Sequence, residues 1–154
     1  MWNILVHGKW IYRSFHNNTE AVNSDPQKAL ALIFGEGLLT FVSQGSKEWS
    51  ATLSFGEGMD MDLAGFIEDK GMVDGLLLHG TGVGRDNTDT AGWVYEYRGL
   101  VLSKWPAGIN EVPAIVGSVK RTVRHGDGTA GKVASFIAVK QEKRLNMEFN
   151  LEEV

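Results

Sequence analysis

Trp93-Val94-Tyr95-Glu96-Tyr97-Arg98 places an aromatic ring at every second position. Successive side chains of an extended strand leave opposite faces, so Trp93, Tyr95 and Tyr97 share one face and Val94, Glu96 and Arg98 the other. Three rings, two carrying hydroxyls, on one side of one strand make either a packed barrel interior or the wall of a ligand site. The same period of two recurs along nearly all of the chain, punctuated by glycine. No other feature constrains the fold as strongly.

Strands are expected wherever this alternation is bounded by turn residues. They fall at 9–15, 29–34, 37–42, 49–55, 59–67, 73–82, 92–105, 114–124 and 132–140. Residues 145–151 also alternate and form either a closing strand or an amphipathic tail. Between the first two strands, Ser24 or Asp25 is placed to cap a short helical turn over Pro26 to Ala29. The polar run from Gly84 to Thr90 reads as a mobile rim loop. Phe34-Gly35-Glu36-Gly37 recurs as Phe55-Gly56-Glu57-Gly58, either a duplicated hairpin or two unrelated glycine turns. Nineteen glycines against three prolines suit many turns and bulges, and long helices would not tolerate that density.

The 154 residues fit one domain, 1–154, and 43% hydrophobic residues suffice for a core. A formal net charge of -4 argues against a general nucleic-acid binder. Without cysteine, disulfides, thiolate metal sites and a cysteine nucleophile are excluded. No apolar run approaches the roughly 18 residues of a membrane helix. No basic region followed by an apolar run opens the chain, so no signal peptide is visible and the cytoplasm is the default expectation.

About eight to ten short strands with at most one short helix must close on themselves or leave long unpaired edges. The expected fold is all-β, a closed antiparallel up-and-down barrel. An immunoglobulin-like sandwich is disfavoured because its Cys-Trp-Cys pattern is missing. On Gly8-Lys9-Trp10 opening a strand, the later aromatic alternation and the glycine-punctuated hairpins, the chain resembles the calycin-like barrels of lipocalin and avidin type. Gly80-Thr81-Gly82-Val83-Gly84-Arg85 is similar, more weakly, to strand ends of dirigent and allene oxide cyclase barrels. Either resemblance implies a cavity for a small, mostly apolar ligand. Neither carries over an active site.

Trp93, Tyr95 and Tyr97, with Trp10 and Tyr12, are the candidate ligand wall; otherwise they fill the core or face a partner subunit. Arg121 shares a face with Ile115 and Val119. Turned inward it needs a partner such as Glu57, Asp60, Asp62 or Glu96, and it would hold a carboxylate or enolate. Turned outward it belongs, with Lys120, Arg124 and His125, to a solvated basic stripe. Asp60 and Asp62 share a face opposite the methionines, either as a proton-sharing or cation-binding pair or as a plain wet face. His79 near a strand end is either a rim acid–base or a satisfied core histidine. No metal-ligand spacing, phosphate loop or hydrolase elbow occurs, and no metal or cofactor is expected.

The leading expectation is a barrel binding a small apolar or amphipathic molecule, with no nucleic-acid partner. The alternative is a cofactor-independent isomerase, cyclase or lyase. In it Tyr95 or Tyr97 donates a hydrogen bond, His79 or an Asp moves the proton, and Arg121 holds developing charge. A third reading is a structural module with a filled core. Ile11, Phe15, Val94 and Val101 hint at a homodimer face.

Overall fold

A computed structural model describes residues 7–69, 75–102 and 105–141. The strands are β1 (Gly8–His16), β2 (Ile33–Gln44), β3 (Glu48–Ser54), β4 (Asp60–Glu68), β5 (Gly75–Gly84), β6 (Val94–Leu102), β7 (Ala114–Arg121) and β8 (Val133–Gln141). Each pairs antiparallel with its neighbours in sequence, and β8 returns to β1 to close the barrel. The closing strand is therefore β8. The alternative at 145–151 lies outside the described residues.

Two short helices, α1 (Thr19–Val22) and α2 (Pro26–Ala31), join β1 to β2, one more than the sequence led us to expect. Asn18 caps α1 through the Ala21 amide, and Asp25 caps α2 through the Gln27 amide, with Pro26 in the first turn. The expected strand at 29–34 is thus half helix. Its alternation over three residues could not compete with a proline-started, aspartate-capped turn. Beyond it β2 runs unbroken through Gly35 and Gly37, absorbing the strand expected at 37–42. The two Phe-Gly-Glu-Gly segments differ in structure: the first lies within β2, the second turns the chain from β3 to β4.

Period-two sidedness holds around the barrel. Trp10, Tyr12 and Ser14 on β1, Tyr95, Tyr97 and Val101 on β6, and Ile115 and Val119 on β7 are all buried. Val101 is fully buried while Ile11 is exposed, so the residues expected at a dimer face do not share a face. Val94 and Val101 are seven apart, an odd separation that puts them on opposite sides of one strand.

Glycine makes room for the rings. Tyr12 sits opposite Gly37, Tyr97 opposite Gly80 and Tyr95 opposite Gly82. An eight-stranded lumen is only just wide enough for side chains, so each large ring is matched by an absent one. At Gly80 a Cβ would lie 2.6 Å from the Trp49 ring.

The barrel is solid in its lower half. Trp10, Phe41 and Trp49 meet edge to face, with centroids 5.9 and 5.5 Å apart. Leu39, Leu53, Leu63, Leu78 and Ile115 fill the space around them, leaving a gap of only ≈ 20 Å³. Trp10 Nε1 donates to the His7 carbonyl at 2.9 Å, whereas Trp49 Nε1 is buried with no acceptor among the described residues. No helix of the described residues is long and apolar enough to cross a membrane.

Candidate functional site

The upper half of the barrel holds an open-mouthed cavity of ≈ 270 Å³. Most of its lining comes from inward-facing strand positions, and Phe34 joins it where the β1–β2 register shifts. β1 supplies Tyr12 and Ser14, β2 Phe34 and Gly35, and the β3–β4 turn Phe55 and Met59. β4 adds Met61, β6 Tyr95 and Tyr97, and β7 Val119 and Arg121. Trp93, just before β6, and His125, in the β7–β8 hairpin, complete the mouth. Tyr12 and Tyr97 form the floor, edge to face at 6.5 Å, with Phe136 stacked on Tyr12 at 5.4 Å.

The floor phenols stay protonated. Burial pushes the Tyr12 hydroxyl far up; a bond with Ser14 opposes this and nearby Tyr95 adds to it. Burial does the same at Tyr97, helped by Tyr12 and Tyr95. Both are therefore hydrogen-bond donors at any physiological pH.

The mouth is organised around Arg121. Its Nε donates to the Tyr95 hydroxyl at 3.2 Å and its Nη1 to the Thr129 carbonyl at 3.3 Å. The guanidinium lies 5.1 Å from the centre of the Phe34 ring, a cation–π distance. Gly128 also lies close to it, so that a Cβ there would fall 2.6 Å from Cζ. None of the expected acidic partners reaches it. Asp60 and Asp62 hold Arg85 at 3.1 and 2.9 Å, and Glu96 holds Lys120 at 3.1 Å, all on the outside of the barrel. Glu57 is exposed in the β3–β4 turn. Among the described residues no carboxylate forms an ion pair with Arg121.

His125 is folded over the mouth by a tight turn in which it and Gly128 exchange both backbone hydrogen bonds. Its ring stacks on Trp93, centroids 4.4 Å apart, and its Nε2 lies 2.6 Å from the Tyr95 hydroxyl. Burial first, then the Arg121 charge, hold its pKa below the ordinary histidine range. In the tautomer that carries its proton on Nδ1, a neutral His125 accepts at Nε2 from the Tyr95 hydroxyl, which itself accepts from Arg121. His16, edge-on to Phe34 at 5.0 Å, is lowered in the same direction by burial, then by Lys132 and Arg121.

The structure thus brings Tyr12, Trp93, Tyr95, Tyr97 and Arg121 together around one cavity. Trp10 lies deeper, fully buried in the solid half. His79 does not join them: it faces outward from β5, stacked on Phe66 at 4.6 Å, with Nε2 3.1 Å from Glu68. Inward positions on β5 are the even-numbered ones, Leu78 and Gly82 among them. The 84–90 loop, expected to be mobile, is anchored instead. Thr90 is fully buried; its Oγ1 donates to the Asp60 carbonyl at 2.6 Å and accepts from the Arg85 amide at 3.1 Å. His125 was visible in sequence only as a turn or basic-stripe residue, and Phe34, Phe55 and the methionines carried no site signal beyond their parity.

Among the described residues no group of three His, Asp or Glu gathers as a metal site would require. No family model, curated protein or solved structure matches the chain. Its closed eight-strand architecture is consistent with the calycin-like barrels at that level.

Proposed function

We propose that this barrel binds a small apolar or amphipathic molecule in its upper cavity. The observation that carries the reading is the contrast between the two halves. Protein interiors rarely keep voids larger than a water. Here the lower half leaves ≈ 20 Å³ and the upper half ≈ 270 Å³ beneath an open mouth. A module needing only a core would fill that space. The volume corresponds to roughly nine waters, so the guest is a one- or two-ring compound or a short chain. Titration with such compounds should quench Trp93 fluorescence and raise the unfolding midpoint. A plugging variant, Val119→Phe, should abolish both effects while folding normally. Equal binding by the plugged protein would place the guest elsewhere and end the proposal.

One observation favours a second reading, a cofactor-independent enzyme. The 2.6 Å Tyr95–His125 contact beside the Arg121 guanidinium sets a proton acceptor, a donor and a fixed charge at one cavity. In that reading His125 takes the place given to His79. Deuterium exchange at carbon next to the carbonyl of a bound ketone, lost in His125→Gln, tests it.

A further inference from the structure

We propose that the guest carries a carboxylate seated on Arg121 at the mouth, with its apolar body directed down toward Tyr12 and Tyr97. This rests on the binding function proposed above and names the chemistry of its guest.

Among the described residues Arg121 is a positioned cation that forms no ion pair with a carboxylate. The Phe34 ring, the close approach of Gly128, and bonds from Nε and Nη1 hold it in place. Nη2 has no protein acceptor among the described residues, so the terminal edge of the guanidinium remains for a ligand. A half-buried cation in an aromatic collar is costly unless something pairs it, and a planar carboxylate matches that edge. The groups facing it do not compete. Tyr95 offers an oxygen already used, and burial and Arg121 itself favour a neutral His125. Glu36, the one carboxylate bordering the cavity among the described residues, makes no ion pair with Arg121. One guanidinium matches one negative charge. A phosphate dianion would leave a charge uncompensated in an apolar tube.

The test compares three probes of one shape in calorimetric titrations of the wild-type protein: 2-naphthoate, its neutral methyl ester and 2-naphthylmethylammonium. The carboxylate should bind at least tenfold more tightly than the ester, and the ammonium more weakly than either. Arg121→Gln should bring acid and ester within about twofold of each other. Gly128→Ala, which keeps the charge but pushes the guanidinium from its seat, should also reduce the preference. Equal binding of acid and ester by the wild-type protein would overturn the carboxylate assignment and leave the cavity reading standing. So would a preference that survives Arg121→Gln. Failure of all three probes to bind would overturn both.

Discussion

Thr90→Val is the sharpest test of how the mouth is held. The substitution keeps shape and volume and removes only the hydroxyl. That hydroxyl donates to the Asp60 carbonyl at 2.6 Å and accepts from the Arg85 amide at 3.1 Å, in a side chain with no exposed surface. The change leaves one backbone acceptor and one backbone donor without partners, at about 1–3 kcal/mol each. Arg85 is only half-buried, so water recovers part of the loss; the net expectation is about 2–4 kcal/mol. For a chain of this size that lowers the unfolding midpoint by about 6–12 °C. Thr90→Ser keeps both bonds, loses one methyl, and should cost about 1 kcal/mol. Urea unfolding followed by tryptophan fluorescence measures both, with unchanged denaturant slopes confirming that the folded state is what moved. The loop also presents Trp93, whose amide bonds to the Thr90 carbonyl at 2.9 Å, so the valine variant should blunt the ligand-induced quench as well. If it unfolds within about 0.5 kcal/mol of wild type, or serine costs as much as valine, the hydroxyl is not what anchors the loop.

Further expectations concern the core, the lumen and pH. Trp49→Phe should stay within about 1 kcal/mol of wild type, because losing an unpaired buried N–H offsets the lost ring area. Trp10→Phe, which removes a formed hydrogen bond together with ring area at a fully buried position, should cost clearly more in the same urea series. Gly80→Ala should cost about 1–3 kcal/mol, since its methyl meets the Trp49 ring; a neutral result would mean that the ring has room to shift. His125 and His16 both have lowered pKa values, from burial first. The folded chain therefore binds fewer protons than the unfolded chain below the ordinary histidine value of about 6.5. Stability should be flat above that pH and fall as pH drops through the lowered values; His125→Gln should reduce the fall, as urea midpoints at neutral and mildly acid pH will show.

Much of the barrel was legible because a single rule, alternate residues on alternate faces, governs every strand. Tyr12, Tyr95, Tyr97 and Val119 could be assigned inward on that rule. The same rule separates Val101 from Val94, seven residues before it, and turns His79 outward, because the inward positions of β5 are even-numbered. The β1–β2 connection was harder to read, because local capping by Asn18 and Asp25 outweighs a three-residue alternation. The site was legible in part. Sidedness aligned Arg121 with Ile115 and Val119 but left open whether that face turned inward or into solvent, whereas His125 reaches the mouth through a hairpin that folds back over the lumen. No local signal encodes that return.

The paired phenols of Tyr12 and Tyr97 act as a bulkhead. Beneath them lies a solid plinth of indole, phenylalanine and leucine that can carry the burden of folding. Above them lies a shallow cup whose rim draws on the turns at one end of the strands. Exchanges among Phe34, Phe55, Met59 and Met61 can therefore reshape the cup while the plinth stays intact, and trimming either phenol would be the direct route to a deeper vessel.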